Sequence, residues 1–235
     1  PRTILQADLD KPMTKHLQRD MEFLEREIIT QSSLVEEMIS KASRALYEVQ
    51  VDLANEVIEK ERAINESEVK IEEECLKILA LHQPVAVDLR ETATVLKINS
   101  DLERIADLAV NIAERTIGLS HYPNFRIPAS LEPMTKVTVS MLRDAIDAFI
   151  DFDSEKARSV CKRDDIVDGY NREIINEIYQ LMQTDPSLIK PALHFFSSAR
   201  HIERIADHTT NIAEDVIYLT EGEIVRHRHK ETFST

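Results

Sequence analysis

Hydrophobic residues recur at helical spacing along most of the chain. A first series runs from Leu17 to residue 49 in alternating steps of four and three residues, interrupted at Gln31. Such a heptad pattern predicts a long helix with one buried face. A second series repeats every seven residues from Val57 to Ile78. With prolines and breaks in periodicity as boundaries, we predict six helices: residues 13–49, 52–82, 85–119 and 131–152, a fifth from Ser154, and a sixth from Asp185 to Gly222.

One twelve-residue segment occurs twice in the chain. Residues 103–114 have the sequence ERIADLAVNIAE and residues 203–214 have ERIADHTTNIAE, so nine of the twelve positions are identical. The seven-residue series of the second and fifth helices also match, at an offset of 103 residues. Self-similarity of this kind indicates a duplicated unit. We therefore predict an all-α fold of two tandem three-helix bundles: residues 1–120, a linker at 121–130, residues 131–222, and a basic tail at 223–235.

The repeated segment carries two kinds of residue on two faces of a helix. Its isoleucines and alanines, such as Ile105 and Ile112, recur at the spacing of a buried face. A second stripe bears oxygen atoms, and at about 100° per residue its members lie within roughly 80° of one another, on the order of 150° from the apolar face. We expect this stripe to point outward in both copies. Its members are Glu103, Asp107, Asn111 and Glu114, with counterparts Glu203, Asp207, Asn211 and Glu214.

The oxygen stripe suggests a cation site. Glu103 and Asp107 stand one helical turn apart, where like charges repel by a few tenths of a kcal/mol unless a cation relieves them. Oxygen ligands favour hard ions such as Mg²⁺, Ca²⁺, Mn²⁺ and Fe, although Zn²⁺ is also bound by carboxylates. Neighbouring helices offer further ligands that could complete the shell, namely Glu61, Asn65, Asp164 and Asp168. The alternative is that these acids merely form a solvated surface, and two copies in register leave both interpretations open.

Composition and charge narrow the class of protein. The chain of 235 residues has 43% hydrophobic and 31% charged residues, three glycines and no Trp, which favours an all-helical protein. Its net charge of −14 argues against nucleic-acid binding and against adsorption to anionic lipid. Cys75 and Cys161 form no CxxC motif, and neither a membrane-spanning run nor a signal peptide is recognisable. We expect a cytoplasmic protein.

Catalytic motifs are missing from the sequence. It contains no HExxH and no glycine-rich phosphate loop, and the inward Glu-x-x-His pairs of di-iron oxidases are not found. An enzyme is therefore the weaker interpretation. Two alternatives to a metal-binding adaptor stay open: a carboxylate-metal enzyme, such as a phosphatase or oxidase, and a purely structural helical scaffold.

Residues 101–113 and 200–213 resemble the paired motif of the PhoU family, the phosphate-signalling accessory proteins of bacteria and archaea. The resemblance covers nearly the whole chain and implies two tandem three-helix bundles, commonly a homodimer, with mononuclear or multinuclear metal sites. It implies Fe, Mn, Mg or Zn bound by Glu103, Asp107, Glu203 and Asp207. Secondary candidates are Asn111, Asn211, Asp101, Asp164 and Asp168.

Two departures from the family pattern distinguish the halves. Asn65 stands where an acid is expected on the second helix, and His201 replaces the acid found at Asp101. In function, the resemblance implies a negative regulator of phosphate uptake and of the phosphate-starvation response. Such a protein would couple a phosphate ABC transporter to a sensor histidine kinase at the cytoplasmic face of the membrane.

Overall fold

The computed structural model describes residues 15–222 and residue 225. These residues form six α-helices and no strand, so the all-α prediction is confirmed. The predicted basic tail, residues 223–235, lies outside the described residues, apart from Val225, which is buried. The helices are α1 (Lys15–Glu48), α2 (Val51–His82), α3 (Ala86–Leu119), α4 (Leu131–Asp151), α5 (Ser154–Thr184) and α6 (Ile189–Glu221), the last preceded by a 3₁₀ turn at Pro186–Leu188.

The hydrophobic series identified in the sequence forms the core of each bundle. On α2, Ile64 and Ile71 are at most 1% exposed, and on α5 Val167 and Ile174 are fully buried. Burying one such side chain stabilises the fold by about 1.5–3 kcal/mol. Because the series repeats every seven residues, each helix keeps one apolar face against its neighbours for its whole length.

The duplication extends to the backbone of the turns. Val49 directly follows α1 and Phe152 directly follows α4, and both residues have a positive φ of 52°. A left-handed conformation is uncommon for residues other than glycine. Its occurrence at two positions 103 residues apart shows that the two halves share a turn geometry as well as a motif.

Side chains cap two of the described helix starts, those of α5 and of the 3₁₀ turn. The Asp153 carboxylate accepts a hydrogen bond from the Lys156 amide at the start of α5. Asp185 does the same for the Ser187 amide, with Pro186 in the first turn. Ser130, which directly precedes α4, makes no such cap and instead donates its hydroxyl hydrogen to Glu173 Oε2 at 2.9 Å.

The two bundles meet along α3 and α6, and also along α1 and α4. Asp101 Oδ1 lies 2.8 Å from His208 Nδ1, and Lys97 Nζ lies 3.2 Å from Asp215 Oδ1. The lower-numbered residue of α3 pairs with the higher-numbered residue of α6, so the two helices are antiparallel. The two copies of the duplicated segment therefore cross near their first residues. The oxygen stripe of residues 103–114 and that of residues 203–214 face different grooves between helices. None of the described helices is long and apolar enough to cross a membrane.

Candidate functional site

The second copy of the segment contributes to a cluster of four carboxylates between α5 and α6, formed by Asp164, Asp168, Glu203 and Asp207. Burial first, and then the negative charges of Asp207 and Asp168, raise the pKa of Asp164 to about 7, with a smaller effect from Glu203. Burial and Asp168 also raise the pKa of Asp207. Mutual effects of this size require the groups to be close. We name these four residues the second cluster.

Arginine neutralises the second cluster in part. Arg200 Nη1 lies 2.6 Å from Glu203 Oε1, and Arg172 Nη1 lies 3.5 Å from Asp168 Oδ2. The other carboxylate oxygen of Glu203, Oε2, is buried and has no hydrogen-bond partner within the described residues. The pKa of Glu203 is nevertheless raised, by burial first and then by Asp207, although Arg200 opposes the shift.

The first copy of the segment forms a smaller cluster between α2 and α3, made of Glu68, Glu103 and Asp107, which we name the first cluster. The pKa of Glu103 is raised by burial and by Asp107, with a smaller effect from Glu68. Arg104 approaches only loosely, with its Nε 3.7 Å from Glu103 Oε2 and its Nη1 3.9 Å from Asp107 Oδ2. Asn111 donates its side-chain N–H to the Asp107 backbone carbonyl at 2.8 Å, which leaves the amide oxygen available as a ligand.

The predicted outward stripe is wrong at its last position in the second copy. Glu114 is exposed, as expected, but Glu214 is 4% exposed. At this level α6 is enclosed on several sides, since it packs against α3, α4 and α5. The neighbouring Asp215 is also buried, whereas Asn211 one turn earlier is exposed.

Two residues flagged in the sequence lie apart from the clusters. The Asp101 carboxylate is engaged by His208 across the α3–α6 interface, and its side chain is 17% exposed. His201 is half-buried, with its Nε2 3.3 Å from Ser197 Oγ. Burial and the nearby guanidinium groups of Arg204 and Arg115 lower the pKa of His201, so its surroundings already disfavour a positive charge.

Glu68 is a candidate ligand that was not among those predicted from the sequence, which on the second helix are Glu61 and Asn65. Asn65 is exposed, and Glu68 is the α2 acid that raises the pKa of Glu103. The available signal was helical spacing: Glu68 follows Asn65 by three residues and therefore lies on nearly the same face.

The clusters fit a hard cation by the chemistry of their donors. Both offer partly buried carboxylate oxygens, and burial first and then neighbouring carboxylates raise the pKa values of Glu103 and Asp164. Within the described residues, however, no three His, Cys, Asp or Glu side chains already form a group able to hold a metal ion. A cation that keeps several of its waters needs only one or two carboxylates from the protein, as is usual for Mg²⁺. The two clusters therefore fit a hard cation that keeps several of its water ligands.

Known proteins match this chain in both of its halves. The family model described as "PhoU domain" matches residues 28–116 and again 131–216. A phosphate-specific transport system accessory protein PhoU homolog of Aquifex aeolicus is 42% identical over 211 residues, which cover 90% of this chain and 96% of that protein. The accessory protein PhoU of Escherichia coli K12 is 32% identical over 94% of this chain and 91% of its own length.

Solved structures agree with this result. The crystal structure of PhoU from Pseudomonas aeruginosa superposes with a TM-score of 0.85 at 35% identity, covering 88% of this chain and 99% of that one. The phosphate transport system regulatory protein PhoU from Streptococcus pneumoniae gives 0.84 at 33% identity, covering 89% and 99%. The resemblance found in the sequence is thereby confirmed, and the chain belongs to the PhoU family.

Proposed function

We propose that this protein is a non-enzymatic, metal-binding adaptor that represses phosphate uptake and phosphate-starvation signalling. The observation that carries the proposal is the pair of carboxylate clusters built on a duplicated segment, one in each half. The relatives support the regulatory part, because one is named an accessory protein of a phosphate-specific transport system and another a regulatory protein of a phosphate transport system.

The metal ligands in this proposal are carboxylates on adjacent helices. Glu103 and Asp107 would hold an ion in the first half, and Glu203 and Asp207 in the second. Asp164 and Asp168 would contribute from α5, with Asn111 and Asn211 as further oxygen donors. Fe, Mn, Mg or Zn would supply positive charge that removes the repulsion within each cluster and holds α2 to α3 and α5 to α6. The bound ion would thus set the shape of the surface offered to partners.

Metal analysis of purified protein tests this site. We expect wild type to carry an ion that is lost when four ligands are changed together: Glu103→Ala, Asp107→Ala, Glu203→Ala and Asp207→Ala. A matched control removes the same charge from exposed acids elsewhere, through Glu59→Ala, Glu72→Ala, Glu155→Ala and Glu177→Ala. Equal metal content in all three proteins would remove the metal-binding part of the proposal.

Gene deletion tests the regulatory part. A strain lacking this protein should express phosphate-starvation genes even when phosphate is plentiful, and wild-type protein should restore repression. The fourfold ligand variant should restore it poorly if the metal shapes the partner surface. Normal repression in the deletion strain would contradict the assignment as a negative regulator.

The partners in this proposal are a phosphate ABC transporter and a sensor histidine kinase, met at the cytoplasmic face of the membrane by a homodimer of this chain. Co-purification from cells with tagged transporter and kinase checks the binding of these two partners. Light scattering of the purified protein checks the homodimer. Failure of the protein to associate with either membrane component would refute the coupling role.

One observation favours a second candidate, a carboxylate-metal enzyme. The pKa of Asp164, raised to about 7 by burial and neighbouring carboxylates, is suited to proton transfer near neutral pH. This candidate predicts turnover of phosphoesters, or reaction with oxygen, that disappears in Asp164→Asn. Metal-loaded protein that shows no turnover in either assay would eliminate it.

A further inference from the structure

One end of the molecule combines exposed apolar side chains with a surplus of acids. The start of α1 meets the end of α2 here, since His82 Nε2 lies 3.0 Å from Asp20 Oδ2. The start of α3 meets the end of α6, since Arg90 Nε donates to the Leu219 carbonyl at 3.4 Å. Exposed apolar side chains gathered in one place mark a surface that binds another chain segment. Four such side chains, 44–77% exposed, surround the turn between α2 and α3 and are named the apolar patch: Leu81, Val85, Val87 and Leu89.

Three acids adjoin the apolar patch: Asp88 and Glu91 on α3, and Glu25 on α1. Burial first, and then the negative charges of Asp88 and Glu25, raise the pKa of Glu91 to about 7. The three carboxyl groups are therefore close to one another. Among the described residues, none of the three forms an ion pair. Their negative charge is thus open to a cationic group from outside these helices.

This end of the molecule stays negative when the neighbouring charges are counted. Arg19 and Arg26 of α1 line a separate hollow that faces α2, and Arg90 is bonded to α6. Ten acidic and six basic residues belong to the helix segments that meet here, residues 15–26, 72–82, 86–97 and 215–221. The surface therefore fits a segment that carries positive charge and an apolar side chain.

The chain itself has such a segment next to this surface. A Cβ atom at Gly222, directly after α6, would lie 3.9 Å from Arg90 Nη1, so the chain leaves α6 beside the first turns of α3. Residues 226–235 have the sequence RHRHKETFST, with three basic residues, one acid and one Phe. At roughly 3.3–3.6 Å per residue, ten residues reach about 35 Å. Val87 of the apolar patch precedes Arg90 by about one helical turn, or about 5 Å along the axis, and is therefore within reach.

We propose that residues 226–235 bind across the start of α3 and cover the apolar patch. The basic residues of the segment pair with the three acids, and Phe233 packs on the apolar side chains of the turn. Single surface ion pairs contribute little, whereas several charges together with apolar contact hold a segment in place. The protein thus closes this surface with its own chain, and a partner gains access to it only by displacing the segment.

Labelling of an introduced thiol in the full-length protein tests the cover. Val87→Cys places a thiol in the apolar patch, and both native cysteines are buried, so an uncharged maleimide reports on the new thiol. Protection is the labelling rate with a neutral segment divided by the rate with the native segment. We expect protection of at least about fivefold, which corresponds to a segment bound for about four-fifths of the time. The neutral segment carries Arg226→Gln, Arg228→Gln, Lys230→Gln and Phe233→Ser.

A matched control lies on α5. Ile166 has the same 47% exposure as Val87, and Ile166→Cys should label equally fast with either segment. Absence of protection at Val87→Cys overturns the proposal. Protection that appears only at high protein concentration assigns the cover to a second copy of the chain and also overturns it.

Charge exchange separates pairing from a merely structural effect. Glu25→Lys combined with Asp88→Lys should abolish the protection of Val87→Cys, and adding Arg226→Glu and Arg228→Glu should restore it, because the attraction returns with the signs exchanged. The milder pair Glu25→Gln and Asp88→Asn nearly conserves side-chain volume and should lower protection to about twofold, which keeps the test decisive if the lysine pair does not fold. Protection that survives in both acid variants refutes the pairing, as does failure of the exchanged segment to restore it.

Discussion

The two carboxylate clusters contain the same pair of acids from the duplicated segment, yet they differ in what the neighbouring helix adds. In the second cluster α5 contributes two acids, Asp164 and Asp168, and the pKa of Asp164 is raised to about 7. In the first cluster α2 contributes Glu68 to the surroundings of Glu103, while Asn65 occupies the position that matches Asp168. The repeated motif is thus the constant part of each cluster, and the neighbouring helix sets its charge. Because the second cluster has four acids and the first has three, we expect the second cluster to bind cations more tightly.

The largest expected effect comes from removing the α5 acids. Asp164→Asn combined with Asp168→Asn should lower the affinity of the second cluster for Mn²⁺ by about a hundredfold, because ligand charge is a main determinant of affinity for hard cations. Glu68→Gln should lower that of the first cluster by only about tenfold. Calorimetric titration of metal-free protein resolves the two classes of site. Equal losses in the two clusters would show that α2 and α5 contribute alike.

A second difference between the halves lies in the core. Gln31 is fully buried, and neither polar atom of its amide has a hydrogen-bond partner among the described residues. The position that matches it at the offset of 103 is Met134, which is also fully buried. Gln31→Met should therefore stabilise the protein by about 2 kcal/mol, since it removes an unpaired buried amide at nearly constant volume.

Urea unfolding of the Gln31→Met variant measures this change, with Gln18→Met on the exposed face of α1 as the control. The control should alter the free energy of unfolding by less than about 0.5 kcal/mol. A destabilised Gln31→Met variant would mean that the buried amide has a partner, such as an ordered water, that the apolar side chain displaces.

The periodic part of the structure could be predicted from the sequence, and the contacts between helices could not. Seven-residue spacing identifies α2 and α5 because it depends on one helix at a time. The pairing of Asp101 with His208 depends on antiparallel docking of α3 and α6, which joins residues 107 positions apart. Burial of Glu214 likewise depends on how other helices surround α6. Position in a stripe predicts the direction of a side chain, whereas its exposure depends on the neighbours that cover it.

Converting the first cluster into a copy of the second is a sharper test of the comparison. Asn65→Asp supplies the acid that Asp168 provides in the other half and should raise the affinity of the first cluster for Mn²⁺ by about tenfold. The measurement is clearest in a background of Glu203→Gln and Asp207→Asn, where the second cluster is disabled. Asn176→Asp adds the same charge at an exposed site on α5 and should leave the affinity unchanged. No gain from Asn65→Asp would mean that the two halves differ in backbone position as well as in charge.

The smallest expected effect concerns the metal-free protein and depends on pH. The folded state raises the pKa of Asp164 from 3.8 to about 7, so the proton is held more tightly in the folded than in the unfolded chain. The stability that this proton provides is present at low pH and is lost as the pH rises through 7. In chelator, Asp164→Asn should therefore raise the melting temperature by about 2–4 °C at pH 8 and by less at pH 5. With saturating Mn²⁺ the order should reverse, because the variant lacks a ligand. Melting curves at both pH values check this, and an advantage that is equal at pH 5 and pH 8 would show that Asp164 does not titrate in this range.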